Sequence, residues 1–164
     1  MSARGAHEEI ELKLSMPGPE AGPAVVDLLR RTGYAVEPAG RVVNDDLYLD
    51  TFEWTLRCKG LSLRYRTVDG KPRFCLKSTG GFEGAVARRT EREVSVKRPV
   101  RDPASGVPKP LRKTVEKAIR PRRLLEQVRV ITDRERYEVA DGAGNRFELA
   151  FDRSTFSLRG LNPR

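Results

Sequence analysis

The feature that most limits the fold of this chain is a period-two alternation of like-charged pairs with apolar residues. Side chains two apart along a strand point the same way. Glu9, Glu11 and Lys13 therefore share a face, while Ile10, Leu12 and Leu14 take the other. Arg64 and Arg66 oppose Leu63 and Tyr65, and Arg73 and Lys77 oppose Phe74 and Leu76. Arg89, Glu91 and Glu93 fall together, with Val94 and Val96 behind them. Arg134 and Arg136 repeat the spacing, and Glu148 and Asp152 lie opposite Phe147, Leu149 and Phe151.

An ordinary sheet with one wet face would show the same period. Its wet face, however, usually carries many Thr, Ser and Gln rather than segregated Glu-x-Glu and Arg-x-Arg pairs. Like charges on one strand stand about 7 Å apart, and beside a partly dry wall they repel by roughly 2 kcal/mol at an effective dielectric near 20. A divalent cation with oxygen ligands relieves a carboxylate pair. Phosphate relieves an arginine pair. A barrel with a charged lumen and an apolar exterior under helices accommodates both. A membrane porin also has polar-in strands, but this chain contains helical segments and lacks an aromatic girdle.

The remaining pattern supports antiparallel strands with a few helices, an α+β arrangement. Strands are predicted over Glu9 to Met16, Arg41 to Asp50, Leu61 to Val68, Pro72 to Thr79, Arg89 to Lys97 and Asn145 to Asp152. Leu125 to Val139 reads as a long strand or a helix-to-strand passage. Helices are predicted over Glu20 to Arg31 and Leu111 to Ile119, with a turn or short helix around Thr51 to Gly60. Asp69-Gly70 carries a hairpin signal, Asp141 to Gly144 is another turn, and Pro99 to Pro110 is a long connection.

Composition narrows the chemistry. The 164 residues suit one domain, and 32 basic against 23 acidic residues give a net charge of +9. Arginine supplies 24 of those cations and lysine 8, which favours a polyanionic partner because guanidinium forks match phosphate. The only histidine is His7, so His-based triads and zinc sites are disfavoured. Two cysteines, Cys58 and Cys75, make no CxxC motif and no disulfide framework. No apolar run approaches the roughly 20 residues of a membrane span, and no signal peptide is visible, which makes the cytoplasm the default compartment. Chemistry must come from carboxylates, Lys and Arg, with or without a hard metal. Trp54 reads as a packing residue, and the run Arg120, Arg122, Arg123 as a solvated patch, since few aromatics interleave with it.

In this order the motifs resemble the CYTH domain, also called the triphosphate tunnel metalloenzymes. Glu9-Ile-Glu11-Leu-Lys13 matches the family's Glu-x-Glu-x-Lys signature. It is followed by Tyr48-Leu-Asp50-Thr51, Leu56-Arg57, Leu61-Ser-Leu63-Arg64-Tyr-Arg66, Leu76-Lys77, Arg89-x-Glu91-x-Glu93, Arg134-x-Arg136 and Glu148-Leu-Ala-Phe-Asp152. The resemblance implies one tunnel domain over residues 1–164: a closed antiparallel β-tunnel of about eight strands with flanking helices and a polar, charged lumen. It implies Mg²⁺ or Mn²⁺ held by Glu9, Glu11 and Asp152. Lys13, Arg64, Arg66, Lys77, Arg134 and Arg136 would bind phosphate. Glu9, Glu11, Lys13 and Glu93 would carry catalysis, Glu93 on the metal side or orienting water. The implied reaction is metal-assisted hydrolysis of a triphosphate, inorganic triphosphate first.

The chain departs from the family pattern after Asp152. Members continue to a final strand with another Glu-x-Glu, whereas this chain ends at Arg164 without one. The expectation is a C-terminally truncated tunnel with an open edge and a weakened metal set. That keeps two alternatives open: a non-catalytic polyphosphate or polyanion-binding module, and adenylate cyclase-type use of ATP. A triphosphate or polyphosphate is the expected partner, with neither a membrane nor nucleic acid. A helical phosphate-binding domain following the tunnel is expected in the full gene product.

Overall fold

A computed structural model of the chain describes the backbone over residues 7–18, 20–78, 82–83 and 86–158, and side chains over 12–18, 20–78 and 90–158. Eight antiparallel strands form one sheet. They are β1 (His7–Leu12), β2 (Ala35–Asp50), β3 (Leu61–Val68), β4 (Lys71–Ser78), β5 (Phe82–Glu83), β6 (Val86–Ser95), β7 (Leu125–Ala140) and β8 (Arg146–Leu158). The helices are α1 (Ala21–Arg31), α2 (Thr55–Cys58) and α3 (Lys109–Ile119). Neighbours run β1-β6-β4-β3-β2-β7-β8, with β5 on β6. Among the described residues β1 and β8 end this order without pairing with each other, so the sheet is unclosed. No helix among the described residues is long and apolar enough to cross a membrane.

Local chemistry sets the elements. Asp69 and Gly70 both take positive φ, 49° and 71°, the twist a two-residue hairpin between β3 and β4 needs. α3 places Leu111, Val115, Ala118 and Ile119 at i, i+4, i+7 and i+8, and all four are buried. They pack on Leu49, Leu63, Tyr65, Phe74 and Val94, the main core. The Tyr65 hydroxyl accepts from the Val100 amide at 3.1 Å, tying the connection before α3 to that core. α1 covers a second cluster of Val26, Val36 and Val139, flanked by Leu149 and Phe151.

The strands differ from expectation mainly in length. β1 ends at Leu12 rather than Met16, leaving Lys13 exposed beyond the strand. β2 begins at Ala35, because a bulge at Pro38–Gly40 lets the ladder with β7 continue past a proline that cannot donate. Gly40 takes φ 91° there. β7 is a strand throughout, without a helical start. β8 runs six residues past Asp152, paired with β7 as far as Leu158↔Val128.

All three helices pack on the apolar face. The opposite face is the one the alternation loads with charge, and long polar side chains bury one another there.

Candidate functional site

The centre of the charged face is built by four adjacent strands. Register sets Asp46 of β2 opposite Arg66 of β3, Arg64 opposite Cys75 of β4, and Cys75 and Lys77 opposite Glu93 and Glu91 of β6. Asp46 binds Arg66 two-pronged, with its oxygens 2.6 Å from Nε and 2.6 Å from Nη2. The same carboxylate lies 3.7 Å from Arg64 Nη1. Arg64 Nη2 reaches Glu91 at 3.4 Å, and Glu91 holds Lys77 Nζ at 3.1 Å. Arg73 pairs with Glu93 at 3.4 Å. Four cations thus meet three carboxylates.

This cluster is buried: Asp46 and Glu91 side chains are 4% and 7% exposed, and Arg64 is 13% exposed. Desolvating so many charges costs several kcal/mol per ion, and replacing such pairs with apolar residues is often neutral or stabilising. A buried ionic network therefore signals function more than stability. Burial works against the Arg64 guanidinium, but Asp46 together with Cys75 and Tyr48 outweighs it and raises the Arg64 pKa. Arg64 Nε is buried and has no hydrogen-bond partner among the described residues, as is Arg136 Nε. Burial, opposed by Arg64 and reinforced by Glu93, pushes the Cys75 thiol up to about 12. Burial alone would raise Glu93. The hydrogen bond from Cys75 and the Arg73 charge outweigh it and hold Glu93 below the usual carboxylate range.

Toward β8 the charged face continues with Arg134, bound two-pronged by Asp152 at 2.7 and 2.6 Å. Arg136 lies 3.8 Å from Glu148 and donates to the Ala39 carbonyl at 3.1 Å, a group the β2 bulge turns toward it. At the other end, Glu9 stands opposite Arg89 and Glu11 opposite Ala87 in the β1–β6 register. The Glu9 and Glu11 side chains lie outside the described residues.

Of the residues singled out from sequence, Arg64, Arg66, Lys77 and Glu93 come together with Asp46, Glu91 and Arg73. Arg134, Arg136 and Asp152 group separately on β7 and β8. Asp46 was missed because Asp45 and Asp46 are adjacent, and periodicity alone does not say which faces inward. Its placement between Asn44 and Tyr48, with Leu47 and Leu49 on the alternate face, was the available signal.

Whether a hard divalent cation fits depends on the donors. Oxygens of Glu91 and Glu93 and the Cys75 sulfur all lie within 4.8 Å of one another. The two carboxylates suit Mg²⁺ or Mn²⁺. A thiol this hard to ionise does not supply a thiolate ligand. The described residues thus offer two carboxylates for a metal here, both already paired with cations: Glu91 with Arg64 and Lys77, and Glu93 with Arg73.

A family model described as CYTH domain matches residues 7–160. Comparison of the sequence with curated proteins finds no match. Among solved structures, an adenylyl cyclase candidate from Hippeastrum with a dominant triphosphatase activity is 18% identical, with a TM-score of 0.51. The alignment covers 93% of this chain and 80% of that one. An adenylate cyclase candidate from Bacillus halodurans is 15% identical at a TM-score of 0.44, covering 93% and 82%. Another from Vibrio parahaemolyticus is 16% identical at 0.46, covering 98% and 80%. The first of these supports the fold.

Proposed function

Since the chain belongs to the CYTH domain family, we propose that it hydrolyses a triphosphate with Mg²⁺ or Mn²⁺, inorganic triphosphate being the first substrate to test. The observation that carries this reading is the half-buried cluster of Arg64, Arg66, Arg73 and Lys77 on a sheet face with its own carboxylates. A triphosphate is a short, dense polyanion that such cations match in forked geometry.

In this reading Arg64, Arg66 and Lys77 bind phosphate oxygens, joined by Lys13, Arg134 and Arg136. Those cations stabilise charge that develops on the terminal and leaving phosphates. Glu9, Glu11 and Asp152 are the proposed metal ligands. Glu93, whose carboxyl Cys75 and Arg73 hold below the usual range against the effect of burial, is the proposed water-orienting carboxylate. A divalent metal, when bound, neutralises phosphate oxygens and lowers the pKa of coordinated water.

The non-catalytic reading draws support from Asp152, whose carboxylate is engaged by Arg134 rather than open to a cation. A phosphate-release panel with Mg²⁺ and Mn²⁺ over inorganic triphosphate, ATP and polyphosphate separates the possibilities. Metal-dependent release from triphosphate is expected. Tight binding with no release under either metal would instead favour the polyanion-binding module. A cyclic nucleotide plus pyrophosphate from ATP would favour a cyclase.

A further inference from the structure

We infer that Asp46 is a positioning residue that presets the Arg64–Arg66 pair for phosphate; this rests on the triphosphate reading above. Arg64 and Arg66 leave β3 on the same face two residues apart, so their guanidiniums repel and would splay without an anion between them. Asp46 is that anion. It stands directly opposite Arg66 in the β2–β3 register and is 3% exposed. Both its oxygens engage Arg66 at 2.6 Å, one of them also facing Arg64 Nη1 at 3.7 Å.

The geometry leaves a donor for a ligand. Arg66 is gripped through Nε and Nη2, which leaves Nη1 outside the fork. Arg64 is held in place between Asp46 and Glu91, with its Nε buried. Two-pronged contact fixes a planar guanidinium in orientation as well as position. Arginines already ordered before binding lose less side-chain freedom when phosphate arrives. Asp46 trades some local positive potential for that order.

The two consequences have opposite signs, so binding measurements decide between them. Charge alone predicts that Asp46→Asn binds inorganic triphosphate more tightly, since a carboxylate has gone. Positioning predicts the reverse, a dissociation constant raised about tenfold. Calorimetric titration of the folded chain with metal-free inorganic triphosphate reads the difference without requiring turnover. Asp46→Glu restores the charge and should recover most of the affinity. Arg66→Lys keeps every charge but cannot form the fork, and should weaken binding about as much as Asp46→Asn. Unchanged or tighter binding by Asp46→Asn overturns the inference, as does a Glu variant no better than Asn. If Asp46→Asn does not fold, Arg66→Lys decides alone, and parent-like affinity there overturns the role of Asp46. Absence of triphosphate binding by the unaltered chain would sink the functional reading itself, and this inference with it.

Discussion

Cys75 and Glu93 face each other across the β4–β6 ladder, and the thiol donates to the carboxylate over 3.2 Å. The contact couples a residue that is hard to ionise to one that is hard to protonate. It places both on the floor of the charged face.

Thiol reactivity should therefore separate the two cysteines. Cys75 is buried with its thiol pushed up to about 12, whereas Cys58 is exposed on α2. The thiolate is the reactive form. At pH 8 a thiol reagent should modify one site quickly and the second only on unfolding. Two equally fast sites in the native protein, counted by mass spectrometry, would contradict the burial of Cys75.

The same pair predicts acid lability. Glu93 and Asp45 both sit below the usual carboxylate range: Glu93 despite its burial, through Cys75 and Arg73, and Asp45 through Arg129. A depressed native pKa gives stability that is complete above the unfolded value, about 4 for a carboxylate, and lost as pH falls through the native value. Melting temperature should hold from pH 7 to about 5 and decline below about 4. Glu93→Gln should flatten part of that decline. An identical acid slope in the Gln variant would remove Glu93 from the account.

Core truncation should show which face holds the fold. Phe74 is fully buried among Leu63, Leu111 and Val115, and Phe74→Ala should cost about 3–5 kcal/mol by denaturant titration. Phe52, 79% exposed, should tolerate alanine within about 0.5 kcal/mol. Comparable losses at the two sites would mean that α3 does not seal the sheet.

The proposed roles separate under mutation. Glu11→Gln removes a charge from the proposed metal set, so metal-dependent phosphate release should collapse while metal-free triphosphate binding persists or strengthens. Arg136→Ala should instead weaken triphosphate binding about tenfold. Parent-like turnover in both variants would place the site elsewhere.

Much of this was legible along the chain. Period two assigned each strand its charged and apolar face, because adjacent side chains of a strand must point opposite ways. Asp69-Gly70 announced the β3–β4 hairpin, since few residue pairs accept two positive φ values in succession. The i, i+4, i+7, i+8 spacing of Leu111, Val115, Ala118 and Ile119 marked the helix that seals the core. Strand ends were less readable. Leu125 to Val139 left a helical start open, and β8 outran its apparent end at Asp152, because tertiary pairing with β7 carries residues of weak local preference.

Only the tertiary structure decided which charges meet. Asp46 and Arg66 lie 20 residues apart and Arg64 and Glu91 27 apart, so only strand pairing brings them together. Asp45 and Asp46 make the point most sharply. They are chemically identical neighbours, yet Asp45 turns outward to Arg129 while Asp46 turns inward to the arginine pair. Alternation requires that they face opposite ways, and Asp46 is buried because Arg64 and Arg66 of the neighbouring strand close over it on the charged face, whereas among the described residues no helix covers Asp45 on the other.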